Sequence, residues 1–189
     1  AAAAFATLSP TDTDTVVLLG PDHRGAVSGG IGIPHFETWR TPLGDIPINW
    51  EQVRRIENQL PLEILADDRE HSLEIELPFL QMTLANFQLI PLIMGTQSAE
   101  ACRRLAEVIV ATLDNPSRAL LVASSDLSHF FDDPTARALD EATLQFALNL
   151  DAAGLLGHVA AGHHRHEALA CGAGPIAVVI HAAQALGAT

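Results

Sequence analysis

Three short apolar runs along the chain each end in a cluster of polar residues. The runs cover residues 15–19, 89–94 and 119–123. A segment that is apolar at every position is typical of a strand buried on both faces of a parallel sheet, and we therefore expect the run at 119–123 to be fully buried. The carboxyl ends of parallel strands meet at one edge, where ligands bind in open α/β sheets. The polar clusters are thus predicted to converge at that edge.

Between these runs, apolar residues three or four positions apart predict helices. The helices are expected at about residues 1–8, 50–59, 73–84, 99–113, 135–148, 152–161 and 175–186. Asn49 and Ser98 precede two of them and are suitable N-caps, because their side chains can accept a hydrogen bond from the first helical turn. Apolar strands that alternate with helices are typical of an α/β fold with a mostly parallel sheet.

Two segments allow more than one interpretation. Residues 26–49 are rich in glycine, proline and β-branched residues and lack a helical period, so we interpret them as a hairpin or an excursion, with 27–33 and 45–48 on either side of a turn at 39–44. The alternation at 73–77 is compatible with a strand as well as with a helix, and its length favours the helix. Pro78 would kink that helix or restart it.

The composition narrows the range of partners. The chain of 189 residues is 48% hydrophobic, which is enough for one domain with a sizeable core. It has 23 acidic side chains and only 10 basic ones, all arginine, and the formal net charge of -13 argues against binding to nucleic acid or to an anionic membrane. No apolar stretch reaches the roughly 20 residues that span a bilayer. The low number of cysteines indicates a reducing compartment, so we expect a cytoplasmic protein.

Several side chains at the strand ends have metal-ligating or catalytic chemistry. His23 follows the first strand, and Asp126 and His129 follow the third. Together they could form the two-histidine, one-carboxylate set that holds non-heme iron. Alternatively, Asp126 caps the next turn and His129 bonds a carbonyl. Cys171 precedes an expected helix N-terminus, where a thiolate is favoured and could bind a soft metal or act as a nucleophile. The alternative is a small buried apolar residue.

Other candidates carry weaker signals. His71 alone does not distinguish a pocket residue from a surface residue. The cluster of His163, His164 and His166 is interpreted as a solvated loop. The Ser-Ser-Asp sequence after the third strand lacks the Gly-x-Ser-x-Gly signature of many serine hydrolases. The glycines at 25–32 match neither the dinucleotide pattern nor the P-loop pattern, so a nucleotide site is not expected.

Five short motifs stand out by their order and spacing. They are Gly20-Pro-Asp-His23, Thr41-Pro-Leu-Gly44, Glu70-His-Ser-Leu-Glu74, Ser124-Ser-Asp-Leu-Ser-His129 and Cys171-Gly-Ala-Gly-Pro-Ile176. Taken together, these motifs resemble the MEMO family, which is known in bacteria and archaea as AmmeMemoRadiSam system protein B. The resemblance extends from about Leu18 to Ile180.

The resemblance implies a fold like that of the class III extradiol dioxygenases, which are non-heme iron enzymes with helices on both faces of a mostly parallel sheet. It implies an iron or copper ion in a pocket at the carboxyl edge of the sheet, with His23 and Cys171 as metal ligands. Asp126, His129 and His71 match pocket residues and would act as acid, base or orienting groups. A small organic molecule or a peptide would be the substrate.

One metal ligand of the family has no counterpart here. It is a histidine in a Pro-His-Ala-Gly-Tyr segment, and this chain contains no tyrosine. We therefore expect residues 1–189 to form a single MEMO-like domain that lacks N-terminal and C-terminal segments of the family. Two other functions stay open. One is a non-catalytic adaptor that binds a peptide or partner protein in the same pocket. The other is a hydrolase or transferase with Cys171 as the nucleophile and His23 as the base.

Overall fold

The computed structural model of the protein describes residues 2–65, 70–165 and 167–188. Its strands are β1 (Thr15–Pro21), β2 (Ile31–Pro34), β3 (Thr38–Thr41), β4 (Gly44–Pro47), β5 (Leu62–Leu65), β6 (Gln88–Met94) and β7 (Ala119–Ala123). Its α-helices are α1 (Ala2–Phe5), α2 (Trp50–Glu57), α3 (Leu77–Thr83), α4 (Ala99–Thr112), α5 (Asp133–Leu148), α6 (Ala152–His164) and α7 (Ala173–Ala185). Short 3₁₀-helices at Glu74–Glu76 and Pro116–Arg118 precede α3 and β7.

Five of these strands form one sheet in the order β5-β2-β6-β1-β7, and β3 and β4 form a separate antiparallel pair. β1 lies parallel to β6 and to β7, with Leu19 opposite Leu92 on one side and Ala123 on the other. β2 is parallel to β5 and antiparallel to β6. The prediction of an α/β fold with a mostly parallel sheet is therefore confirmed, and helices flank this sheet.

The two central strands of the sheet are buried almost throughout, as their uninterrupted apolar sequences require. The β1 side chains from Val16 to Leu19 are 0% exposed, and β6 is buried from Leu89 to its end. α7 packs against β1, β7 and α4. Burial of these apolar side chains is the main stabilising contribution to the fold, at about 25 cal/mol for each Å² removed from water. Among the described residues, no helix is both long enough and apolar enough to cross a bilayer.

Two helix starts were predicted from single residues. The side chains of Asn49 and Ser98 accept hydrogen bonds from backbone N–H groups in the first turns of α2 and α4, so both N-caps are confirmed. In the ambiguous segment, the 3₁₀-helix at Glu74–Glu76 leads directly into α3, which has Pro78 in its first turn. The strand interpretation of 73–77 is wrong, and proline restarts the helix because its missing N–H is not needed there.

β7 is not fully buried, contrary to the prediction from its sequence. All five of its residues are half-buried. The reason is its position: β7 is the last strand of the sheet and pairs with β1 on one side only. An apolar sequence identifies such a segment as a strand but does not show whether a second neighbour covers it.

Within residues 26–49, a hairpin that pairs 27–33 with 45–48 is not formed, so that alternative is wrong. β2 does not pair within the segment but lies in the main sheet between β5 and β6. The hairpin is formed by β3 and β4, with Trp39 opposite Ile46. β5, with only four residues, was not predicted. His163 and His164 lie in the last turn of α6 rather than in a loop, and His166 lies outside the described residues.

Candidate metal centre

His23 lies in the turn that follows β1. The carboxylate of Asp22 forms this turn, because it accepts hydrogen bonds from the backbone N–H groups of Arg24, at 2.9 Å, and Val27, at 2.8 Å. The backbone N–H of Asp22 donates to the carbonyl oxygen of Met94 at the end of β6. The turn is therefore attached to the neighbouring strand, and His23 projects from a rigid segment.

Glu70 fixes the imidazole of His23. The Glu70 side chain is 0% exposed, and its Oε1 lies 3.0 Å from Nδ1 of His23. The same carboxylate accepts hydrogen bonds from the backbone N–H groups of His23, His71 and Ser72. Burial raises the pKa of Glu70, but the hydrogen bonds from His23 and Ser72 lower it more, to about 2. Glu70 was not among the predicted site residues, although it opens the Glu-His-Ser motif.

His71 lies next to His23 but is exposed to solvent. The centroids of the two imidazole rings are 5.3 Å apart, and the rings are nearly stacked. Nδ1 of His71 is 3.6 Å from Oε1 of Glu70. The potential ligand atoms of His23, Glu70 and His71 all lie within 4.8 Å of one another.

A second group of potential ligands lies where the loop after β7 meets the segment before α7. It consists of Asp126, His129 and Cys171, whose potential ligand atoms also lie within 4.8 Å of one another. The backbone N–H of Asp126 donates a hydrogen bond to Sγ of Cys171 at 3.2 Å. The backbone N–H of His129 donates to the carbonyl oxygen of Ala168. Nδ1 of the His129 ring contacts the carbonyl oxygen of Leu127. These bonds hold the loop after β7 against the segment that leads into α7.

Gly172 allows these two segments to approach closely. A Cβ atom at this position would lie 2.2 Å from the carbonyl oxygen of Ser124 and 2.8 Å from Cβ of Ser125. The backbone N–H of Gly172 donates to Oγ of Ser125 at 2.9 Å. Only a residue without a side chain fits here, and the fit places Cys171 beside Asp126.

The end of β6 reaches the same region through Gln97. Its Nε2 donates to the carbonyl oxygen of Cys171 at 3.0 Å, and its Oε1 accepts from the backbone N–H of Gly174 at 2.6 Å. The backbone N–H of Ser124 donates to the carbonyl oxygen of Leu19. The polar ends of β1, β6 and β7 therefore do converge at one edge of the sheet, as predicted.

The predicted site residues fall into two groups at this edge. Asp126, His129 and Cys171 form one group, and His23 and His71 belong to the other with Glu70. Among the described residues, no such group contains both His23 and Cys171. That these two residues bind the same ion stays a prediction. β1 and β7 are adjacent parallel strands, so the two groups extend from neighbouring strand ends.

Glu76 is a further acidic group near this edge that sequence reasoning missed. It is half-buried and accepts a hydrogen bond from Oγ of Ser124 at 3.2 Å. Burial raises the pKa of Glu76, and the negative charge of Asp126 raises it further, while the Ser124 hydrogen bond acts in the opposite direction. Glu76 and Phe5 line a cavity of about 350 Å³ beside β7.

The fold and the two ligand groups define a mostly parallel α/β protein with candidate metal ligands at the carboxyl edge of its sheet. A family model described as "Memo-like protein" matches residues 1–189. The chain belongs to this family.

Curated archaeal relatives named MEMO1 family proteins support the assignment. The chain is 34% identical over 190 residues to one from Methanosarcina acetivorans, an alignment that covers 99% of the chain and 68% of the relative. It is 32% identical over 186 residues to one from Archaeoglobus fulgidus, and this alignment covers 94% of the chain and 66% of the relative. It is 31% identical over 181 residues to one from Methanopyrus kandleri, and this alignment covers 93% of the chain and 62% of the relative. The chain thus spans about two thirds of the length of these relatives.

Proposed function

We propose that this chain contributes to an iron or copper site with dioxygenase-like redox chemistry in the cytoplasm. His23 and Cys171 would be ligands, and Asp126, His129 and His71 would act on a small organic or peptide substrate. The main support is the juxtaposition of Asp126, His129 and Cys171, whose potential ligand atoms lie within 4.8 Å of one another although Cys171 is remote in sequence. The resemblance to non-heme iron enzymes supplies the reaction class by analogy.

The chemistry of the donor set fits a transition metal. A thiolate and an imidazole are softer ligands than the carboxylates and carbonyls that magnesium and calcium prefer, so Cys171 and His23 favour iron, copper or zinc. When bound, such an ion supplies a Lewis-acidic centre that, for iron or copper, can also accept or release one electron. Both cysteines are free thiols, so Cys171 is available as a ligand.

The surrounding residues have distinct proposed roles. Nδ1 of His129 is occupied by the carbonyl oxygen of Leu127, so Nε2 of His129 is the atom that would exchange a proton with a substrate. Asp126 and His71 are exposed and would contact or orient the substrate. These roles need only hydrogen-bond reach to a bound molecule.

Metal titration of matched variants tests the proposal. The protein, purified without a histidine tag and stripped with a chelator, is titrated with iron(II) and copper(I) under reducing conditions. We expect His23→Ala and Cys171→Ala to weaken binding at least tenfold. The exposed His164 and the buried Cys102 lie outside both ligand groups, so His164→Ala and Cys102→Ala should bind like the unmodified protein. Unchanged binding in both site variants would refute the proposed metal site.

A second candidate function is nucleophilic catalysis by Cys171. It is supported by the hydrogen bond from the Asp126 N–H, which fixes Sγ, and by the position of Cys171, partly exposed just before α7. The predicted base was His23, but the imidazole grouped with Cys171 is that of His129. Rapid alkylation of Cys171 that is unaffected by chelator and is slowed by His129→Ala would support this function over the metal site.

A further inference from the structure

The Glu70-His-Ser segment and the turn that carries His23 form one hydrogen-bonded unit, although Glu70 and His23 are 47 residues apart. Oγ of Ser72 donates to the carbonyl oxygen of Pro21 at 3.0 Å. Gly20 makes room for this contact, since a Cβ atom there would lie 2.5 Å from Oγ of Ser72. Two separate sequence motifs are therefore joined by hydrogen bonds, and together they fix the position of the His23 imidazole.

Within this unit, the carboxylate of Glu70 is an acceptor for several N–H groups at once. Oε2 accepts from the backbone N–H of His23, and Oε1 accepts from the backbone N–H groups of His71 and Ser72. Oε1 also lies 3.0 Å from Nδ1 of His23. A metal ion that bound this carboxylate would have to compete with these donors for a side chain that is 0% exposed. Glu70 is therefore better suited to hold an imidazole than to bind an ion.

The bond to Nδ1 determines which nitrogen of His23 is free. An ionised carboxylate only accepts hydrogen bonds, so Nδ1 must carry the proton. In the neutral ring, Nε2 of His23 is then the nitrogen without a proton, and the side chain is about one third exposed. A metal-binding histidine commonly has this arrangement, in which a carboxylate binds one ring nitrogen and the metal binds the other.

We propose that Glu70 is a positioning residue: it holds His23 in the Nδ1–H tautomer and presents Nε2 to a metal ion, without binding that ion itself. The part of the proposal that concerns the metal rests on the proposed function. The part that concerns the tautomer does not, because it depends only on the contact between Glu70 and His23.

Nitrogen NMR of the imidazole rings and cobalt(II) titration test the proposal on three variants. Glu70→Ala removes the acceptor, and Glu70→Gln keeps an acceptor oxygen but no charge. Glu63→Ala is the matched control, because Glu63 also accepts backbone N–H groups, from Ser28 and Gly30, but does not touch a histidine. In its neutral form, the His23 ring of the unmodified protein should carry its proton on Nδ1.

We expect Glu70→Ala to lose this single tautomer and to bind cobalt(II) 10- to 100-fold more weakly, the usual effect of removing such a partner. Glu70→Gln should keep the tautomer and lose less affinity, and Glu63→Ala should change neither property. A neutral His23 ring with its proton on Nε2 in the unmodified protein would overturn the proposal, and this measurement decides it even if Glu70→Ala does not fold. Equal affinity losses in Glu70→Gln and Glu70→Ala with the tautomer unchanged would make Glu70 a ligand and would also overturn it. An unmodified protein that binds no cobalt(II) refutes the metal site of the proposed function, whereas the NMR result still decides the role of Glu70.

Discussion

Asp126 and Cys171 are joined by two hydrogen bonds in opposite directions. The Asp126 N–H donates to Sγ of Cys171 at 3.2 Å, and the Cys171 N–H donates to the carbonyl oxygen of Asp126 at 3.2 Å. The two residues are 45 positions apart in the chain. This link attaches the loop after β7 to the start of α7 and holds the thiol at the carboxyl edge of the sheet.

The two cysteines should therefore differ strongly in reactivity. Cys171 is partly exposed, whereas Cys102 is 0% exposed in α4 and burial raises its pKa to about 11. At a given pH below its ordinary pKa of 9.0, a shift of this size reduces the thiolate fraction of Cys102 about 100-fold. Iodoacetamide at pH 8, followed by mass spectrometry, should modify Cys171 first. Modification of Cys102 at a similar rate would contradict the described burial.

If His23 and Cys171 bind one ion, their removal should not be additive. Each single alanine variant should lose most of the affinity, and the double variant should lose less than the sum of the two free-energy changes, because residues that share a partner are coupled. Isothermal titration with cobalt(II) measures all four affinities. Fully additive losses would instead indicate that the two ligand groups act separately.

The close approach at Gly172 predicts a specific sensitivity to a methyl group. Gly172→Ala should destabilise the fold by about 1–3 kcal/mol, because the new Cβ would overlap the Ser124 carbonyl. The matched control is Gly157→Ala in α6, where a Cβ meets nothing within 4 Å. That exposed helical change should stabilise the protein by about 0.5–1 kcal/mol. Urea unfolding of both variants provides the comparison, and equal effects would contradict the packing described at Gly172.

The low pKa of Glu70 predicts a loss of stability in acid. The pKa is about 2 in the folded protein and 4.5 ordinarily, so the ionised carboxylate favours the folded state. This stabilisation is complete above pH 4.5 and is lost as the pH falls from about 4.5 towards 2. At neutral pH it amounts to at most about 3 kcal/mol. The difference in free energy of unfolding between the metal-free protein and Glu70→Gln should shrink over that pH range. A difference independent of pH would refute the prediction.

The pKa of Glu76 is shifted in the opposite direction to that of Glu70, so its ionisation has the opposite effect on stability. Burial raises its pKa, so ionisation of Glu76 at neutral pH favours the unfolded state. Glu76→Gln keeps an acceptor for the Ser124 hydroxyl and removes the charge, so the variant should unfold at a higher temperature than the unmodified protein at pH 7. The gain should vanish once the pH is low enough to protonate Glu76 in both the folded and unfolded states. A lower unfolding temperature at pH 7 would show that the carboxylate is held by stronger interactions than the one from Ser124.

Local sequence patterns were sufficient for the central strands, the N-caps and the polar strand ends. After their first residues, β1 and β6 are apolar and buried on both faces, so the requirement for burial is visible in consecutive residues. The side chain of an Asn or Ser just before an amphipathic segment accepts a hydrogen bond from a backbone N–H two or three residues later, so the cap depends on nearby residues alone. The positions of His23, Asp126 and His129 after strands follow from the same local reasoning.

The tertiary structure alone decided which of these residues meet. The sequence did not indicate that β7 is an edge strand, that β2 enters the main sheet or that the carboxylate of Glu70 lies under His23. Each of these facts depends on contacts between residues far apart in the chain, and such contacts are selected by the packing of whole elements rather than by neighbouring residues. The hydrophobic pattern determined that there is a parallel sheet with a polar edge, and the packing of the strands and of α7 determined that Cys171 lies there beside Asp126 and His129.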